Sequence, residues 1–161
     1  AYNEFVFEFL TKHDNTYLIE LHQLFMQKVI RPQMRPKGFD AIKKHQDMGH
    51  AIVGITATSD FITAPIFREF GITEIIATNA EVLDGKYTGK VTGLPCYQKG
   101  KLARLDQWLQ GREVDESWAY SDSINDRFLL EYATHAIAVN PDDRLEKLAQ
   151  EQNWDIQDWS I

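Results

Sequence analysis

From residue 51 onward, short apolar stretches alternate with longer amphipathic ones, and that alternation constrains the fold more than any other feature of the chain. Residues 51–55 and 74–77 read as short strands, with 61–70 between them as a helix closed by Gly71. Residues 99–110 read as helix, 117–121 as strand, 125–133 as helix and 135–139 as strand. Pro141-Asp142-Asp143 opens a last helix, since Pro and Asp suit a first turn, and a short strand follows within 154–161. One interruption breaks the pattern: 81–83 and 86–91 flank Asp84-Gly85, the strongest short hairpin signal present. Such alternation predicts an α/β fold, a Rossmann-like parallel sheet with helices on both faces.

The front of the chain differs in character. Phe5, Val6, Phe9 and Leu10 fall at helical spacing, although Phe5, Phe7 and Phe9 also alternate as a strand would. Tyr17, Leu18, Leu21, Leu24, Phe25 and Lys28 mark a clearer amphipathic helix. Pro32 and Pro36 break the chain, and 37–46 reads as a helix stopped at Gly49. The expected organisation is a helical segment over 1–31 followed by an α/β core over 32–161. The polar residues of that segment, Glu20, His22, Gln23 and Gln27, read as the solvated side of a helix.

Composition narrows the function classes. The 161 residues suit one ordinary domain, and a net charge of −7 with scattered basic residues argues against a nucleic-acid partner. A single cysteine, Cys96, forbids an internal disulfide and fits a reducing cytoplasm; it reads as a small, half-buried hydrophobe. No apolar run is long enough to cross a bilayer, and Glu4 and Glu8 are out of place in a signal peptide.

Three segments carry chemistry. Tyr120-Ser121-Asp122-Ser123-Ile124-Asn125-Asp126 reads as strand end, acidic loop and helix start. Two carboxylates and an amide at the C-terminal edge of a buried strand suit a hard cation such as Mg²⁺, which takes oxygen ligands. The same residues also suit a plain helix N-cap. In the second segment, the strand ending at Ile55 is followed by Thr56 and Ala57. A hydroxyl and a free backbone N–H at a strand end make a cradle for a phosphate oxygen, or a Thr-rich cap ahead of Asp60. The third is Lys99-Gly100-Lys101 at a helix start, where a cation opposes the macrodipole unless an anion offsets it.

In this order the segments resemble the haloacid dehalogenase superfamily of phosphatases, in the branch with phosphoserine phosphatases and bacterial histidinol-phosphate phosphatases. The resemblance extends over residues 50–145. It implies that Thr56 and the Ala57 N–H hold a phosphate oxygen, and that Lys101 or Lys99 neutralises the transferring group. It also implies that Asp122, Asn125 and Asp126 form the acidic motif. Asp122 and Asp126 are then the expected Mg²⁺ residues, with Asp126 either outside the first ligands or orienting a water or the lysine. Asn125 is expected to bind phosphate. The implied activity is Mg²⁺-dependent hydrolysis of a small phosphorylated metabolite, such as histidinol phosphate or phosphoserine, through an aspartyl-phosphate intermediate.

One family element is absent from the sequence. The family's first motif, Asp-X-Asp-X-Thr, carries the nucleophile and the general acid, and no Asp-X-Asp occurs in these residues. The nearest imitation, Lys12-His13-Asp14-Asn15-Thr16, places a lysine where the nucleophile belongs. The expectation is a truncated chain that begins within the cap. Its nucleophile would come from a missing N-terminal segment, with that segment or a second copy of the chain as its partner, and the 161 residues alone would be inactive. Other readings remain: a non-catalytic phosphate- or metal-binding module, a pseudoenzyme acting by contact, or a phosphotransferase or isomerase of the same superfamily.

Overall fold

A computed structural model describes residues 2–94 and 96–161, and the chain falls into two compact units, Ala1–Cys96 and Tyr97–Ile161. The expected boundary at residue 31 lies inside the first of them.

The first unit opens with α1 (Tyr2–Thr11) and α2 (Asn15–Phe25). The helical spacing of Phe5 to Leu10 prevails over the strand alternation: Val6, Phe7 and Leu10 are buried with Leu18 of α2. Phe61, Ile62, Ala80 and Tyr87 pack against that cluster, so the helical front is built into this unit. Asp14 caps α2 by accepting the Tyr17 N–H at 2.9 Å, and Lys12 pairs with Glu8 on the surface. Both residues of the imitation motif thus have ordinary structural partners. The chain continues through a π-helical turn, Met26–Ile30, and a 3-10 turn, Arg31–Gln33, into α3 (Pro36–Asp47), which begins with proline at its first turn.

Next come β1 (Val53–Ser59), α4 (Asp60–Glu69), β2 (Glu74–Leu83) and β3 (Lys86–Thr92). The sheet order is β1-β2-β3, with β1 parallel to β2 and β3 antiparallel to it. Asp84 and Gly85 have φ of 50° and 75°, the positive values a two-residue type I′ hairpin needs. Two strands outrun their expected ends. β2 continues past residue 77 because its second half is one arm of the hairpin, and β1 runs past Ile55 to Ser59. Crossing from β1 to β2, α4 lays Phe67 against Gly54, where a Cβ would sit 2.6 Å from the ring. Cys96 is fully buried, more deeply than its expected half-burial, with its thiol directed at the Ile76 carbonyl 3.7 Å away.

The second unit contains α5 (Lys99–Leu109), β4 (Trp118–Ser121), α6 (Arg127–Tyr132), β5 (His135–Val139), α7 (Asp143–Gln152) and β6 (Asp155–Gln157). Its sheet, β4-β5-β6, is entirely parallel. The central strand β5 is buried from Ala136 to Val139, as a strand covered on both faces must be. Leu130, Leu145 and Ala149 from α6 and α7 close the core over Ala136 and Ala138. β1 and β4 are each the end strand of their own sheet.

Candidate active site

The acidic segment forms one connected structure in the second unit. β4 ends at Ser121, and Ile124–Asp126 form a 3-10 turn before α6 starts at Arg127, two residues after the expected helix start. Ser123 caps that turn, its hydroxyl accepting the Asn125 N–H at 3.3 Å. Asp126 is drawn inward. One carboxylate oxygen pairs with the Lys101 ammonium, and the other accepts the Ser121 hydroxyl at 2.8 Å. Ser121 Oγ in turn accepts the Ser123 N–H at 3.2 Å. The side chains of Lys101 and Asp126 are only 8% and 17% exposed, so each charge depends on the other.

The two lysines at the start of α5 therefore differ. Lys101 is buried and neutralised by Asp126, the anion that offsets its opposition to the helix dipole. Lys99, two positions earlier and on another face, is exposed, with its ammonium 5.5 Å from the centre of the Phe128 ring. Gln98 precedes them with φ of 46°, a conformation that side chains other than glycine rarely adopt.

Asp122, just past the end of β4, is exposed, and its carboxylate makes no hydrogen bond among the described residues. Its backbone carbonyl accepts the Asp142 N–H at 2.8 Å. The Asp142 carboxylate accepts the Ile124 N–H at 2.8 Å and also caps α7 through the N–H groups of Arg144 and Leu145. The Ile124 hydrogen bond, then those from Leu145 and Arg144, hold the Asp142 carboxyl below the usual carboxylate range against the opposing effect of burial. In the sequence Asp142 marks only a helix start, and Ser121 has no expected role. An Asp one residue before a helix is a cap signal, but nothing local indicates a second partner in a distant loop.

The first unit holds Thr56 and Ala57. Thr56 was expected at a strand end and lies inside β1 instead. The pairing with β2 passes from Ile55↔Ile76 to Ser59↔Thr78, four residues against two, so residues 56–58 bulge out of the ladder. Within the bulge the Thr56 hydroxyl accepts the Thr58 N–H at 3.1 Å. The Ala57 carbonyl accepts from Thr78 Oγ1 at 2.8 Å and Asn3 Nδ2 at 3.0 Å. Beyond it, Ser59 caps α4, and Asp60 ties the helix start to β2 by accepting from Phe61 N, Ala80 N and Asn79 Nδ2. His22, expected in solvent, is half-buried instead, its Nε2 lying 3.0 Å from the Ile62 carbonyl and its ring edge-on to Phe61.

As a donor set for a hard cation, Asp122 and Asn125 present exposed oxygens, whereas both oxygens of Asp126 are engaged. Among the described residues there is no group of three or more His, Cys, Asp or Glu side chains able to hold a metal ion. Asp122 fits as one ligand of such an ion, not as a complete site.

Comparison with known proteins fixes the family. The model of the haloacid dehalogenase-like hydrolases matches residues 1–131. A histidinol-phosphatase of Neisseria meningitidis is 39% identical over 153 residues, which is 91% of this chain and 69% of that protein. A crystal structure of a protein of unknown function from Bordetella pertussis Tohama I superposes with a TM-score of 0.93 at 40% identity, covering 98% of this chain and 73% of that one. A probable phosphoserine phosphatase from Vibrio cholerae shares the fold, with a TM-score of 0.64 at 17% identity over 79% of this chain and 39% of its own. The chain belongs to the haloacid dehalogenase-like hydrolases, in their phosphatase branch. The two most similar of these proteins extend beyond it, by about a third and a quarter of their own lengths.

Proposed function

We propose that this chain carries part of the catalytic machinery of a Mg²⁺-dependent phosphomonoesterase that works through an aspartyl-phosphate intermediate. The observation that carries the reading is the partly buried Ser121–Asp126–Lys101 chain, with Lys101 itself buried, beside an exposed Asp122 at the end of a parallel strand. It gives one mobile-headed cation a fixed position, and it leaves one carboxylate for a metal.

In this reading Asp122 is the carboxylate that holds Mg²⁺, which when bound would offset negative charge developing on the transferring phosphoryl group. Asp126 acts on Lys101 and is not itself a ligand. Lys101 presents its ammonium to a phosphate oxygen, with Asp126 and Ser121 fixing where that ammonium lies. Asn125 donates to a phosphate oxygen. The Thr56 hydroxyl and the Ala57 N–H, released from the ladder by the bulge, bind phosphate as well. The nucleophile and general acid come from an Asp-X-Asp in an upstream segment outside these 161 residues, since the sequence contains none.

The substrate in this proposal is a small phosphorylated metabolite, and the Neisseria relative's name makes histidinol phosphate the first to test, ahead of phosphoserine. The acidic balance of the chain suits a small-molecule substrate and not a nucleic acid. No helix among the described residues is long and apolar enough to cross a membrane, and the lone thiol suits a reducing cytoplasm. The lack of an Asp-X-Asp keeps a second reading in play, a non-catalytic phosphate- or metal-binding module. Assay of a small phosphomonoester panel, with residues 1–161 joined to an upstream Asp-X-Asp-X-Thr strand, separates the two. The enzyme reading requires Mg²⁺-dependent turnover, and the binding reading predicts none.

A further inference from the structure

We propose that Asp142 is a positioning residue for the Asp122 carboxylate, a role that rests on the phosphatase reading above. The Asp122 carboxylate makes no hydrogen bond among the described residues, so its aim is set by its backbone. On one side that backbone is held by Asp142. The Asp142 N–H donates to the Asp122 carbonyl at 2.8 Å, and an Asp142 carboxylate oxygen accepts the Ile124 N–H at 2.8 Å. The two bonds grip the loop on either side of Ser123 and oppose tilting of the peptides that carry Asp122.

The grip is anchored. The other Asp142 oxygen accepts the N–H groups of Arg144 and Leu145 at 3.0 and 2.9 Å, which makes the residue the first point of α7. Leu145 and Ala149 of α7 are fully buried in the core of the unit. Asp142 thus transfers the rigidity of a packed helix to a loop whose outward carboxylate has no support of its own. The opposite end of the loop is fixed separately, by Ser121 and Asp126. Partners of this kind, one step removed from a metal ligand, tune affinity by roughly 10- to 100-fold.

The test replaces Asp142 by residues that cap a helix but cannot serve both partners. Asp142→Ser retains a good N-cap and is too short to reach Ile124 as well. Asp142→Asn retains a capping oxygen but turns an amide donor toward another donor. Mn²⁺ is titrated into the 161-residue chain joined to the upstream Asp-X-Asp-X-Thr strand, read by paramagnetic broadening of the Asp122, Ser123 and Ile124 amide signals, with Asp122→Asn as the blank. The proposal requires the midpoint to rise by roughly tenfold or more in both variants. It also requires the Ile124 amide to exchange with solvent roughly tenfold faster while the Leu145 amide stays protected in Asp142→Ser. A midpoint in either variant equal to that of the unsubstituted chain overturns the positioning role. Failure of the unsubstituted chain to show broadening that Asp122→Asn removes overturns it together with the cation role of Asp122. Turnover by the joined protein tests the phosphatase reading separately.

Discussion

Lys101 and Asp126 form a largely buried ion pair at the start of α5, and the carboxylate oxygen that Lys101 leaves is taken by Ser121. Lys99, on the same helical turn, lies outside in solvent. Two lysines that are equivalent in the sequence therefore have opposite energetic positions, and the difference can be measured.

Removing one member of a buried pair strands the other charge, at a cost of about 3–5 kcal/mol, whereas a solvated lysine contributes within about 0.5 kcal/mol. Lys101→Met should lower the urea-unfolding free energy by an amount in the first range, and Lys99→Ala by no more than the second. The double variant Lys101→Met/Asp126→Leu should recover most of the loss. In the joined protein Lys101→Ala should depress turnover strongly and Lys99→Ala mildly. If Lys99 proved the damaging position, the assignment of the two lysines would be reversed.

Gly54 is required by packing, not by backbone freedom. A Cβ there would lie 2.6 Å from two carbons of the Phe67 ring, so Gly54→Ala must displace the ring or α4. Overpacking of this kind costs about 1–3 kcal/mol. Thermal unfolding should show the loss, and Phe67→Leu should relieve part of it in the double variant. Two losses that simply add would contradict the contact.

Acid should weaken the first unit near neutrality. His45 and His50 place their Nδ1 atoms 2.8 Å apart. Burial, then the His50 ring and the charge of Lys44, push the His45 imidazole below its ordinary value. The unfolded chain then takes up the proton more readily than the folded one. The contribution is fully present above the ordinary histidine value, about 6.5, and is lost as pH falls through the lower folded value. Urea midpoints measured from about pH 7.5 down to about pH 5 should decline, and His45→Gln should flatten that decline. An unchanged slope in the variant would remove His45 as its source.

The elements legible in the sequence were those fixed by local chemistry. The Asp84-Gly85 turn was readable because two adjacent residues must take positive φ, and the start of α7 because Asp142 is a cap. The acidic loop was readable because carboxylates cluster after an apolar strand. Features that depend on a distant partner were not. The bulge at residues 56–58 exists because β1 skips register against β2, so Thr56 could not be told from a strand end. Lys101 was separated from Lys99 only by the burial that Asp126 completes. The second function of Asp142 requires Ile124 to be beside it, 18 residues away along the chain.

Thr56 provides a test of division of labour. Its hydroxyl is assigned to phosphate and not to the cation, so Thr56→Val in the joined protein should lower kcat with little change in Mg²⁺ half-saturation. The hydrogen bond from the Thr58 N–H to that hydroxyl is lost in the same variant, so Thr56→Ser, which keeps the acceptor, should recover most of the rate. A shift of Mg²⁺ half-saturation with kcat unchanged would place Thr56 on the metal side.

In the proposed function, residues 1–161 supply the metal carboxylate and phosphate-binding groups of a phosphatase whose nucleophile lies elsewhere. The direct measurement is turnover of an aryl phosphate and of histidinol phosphate, with Mg²⁺ and with EDTA. It is made on the 161-residue chain alone and on the same chain joined to an upstream Asp-X-Asp-X-Thr strand. The account predicts no turnover by the chain alone. For the joined protein it predicts Mg²⁺-dependent turnover that Asp122→Asn lowers by orders of magnitude. Robust Mg²⁺-dependent turnover by the 161 residues alone, or turnover by the joined protein that Asp122→Asn leaves intact, would contradict it.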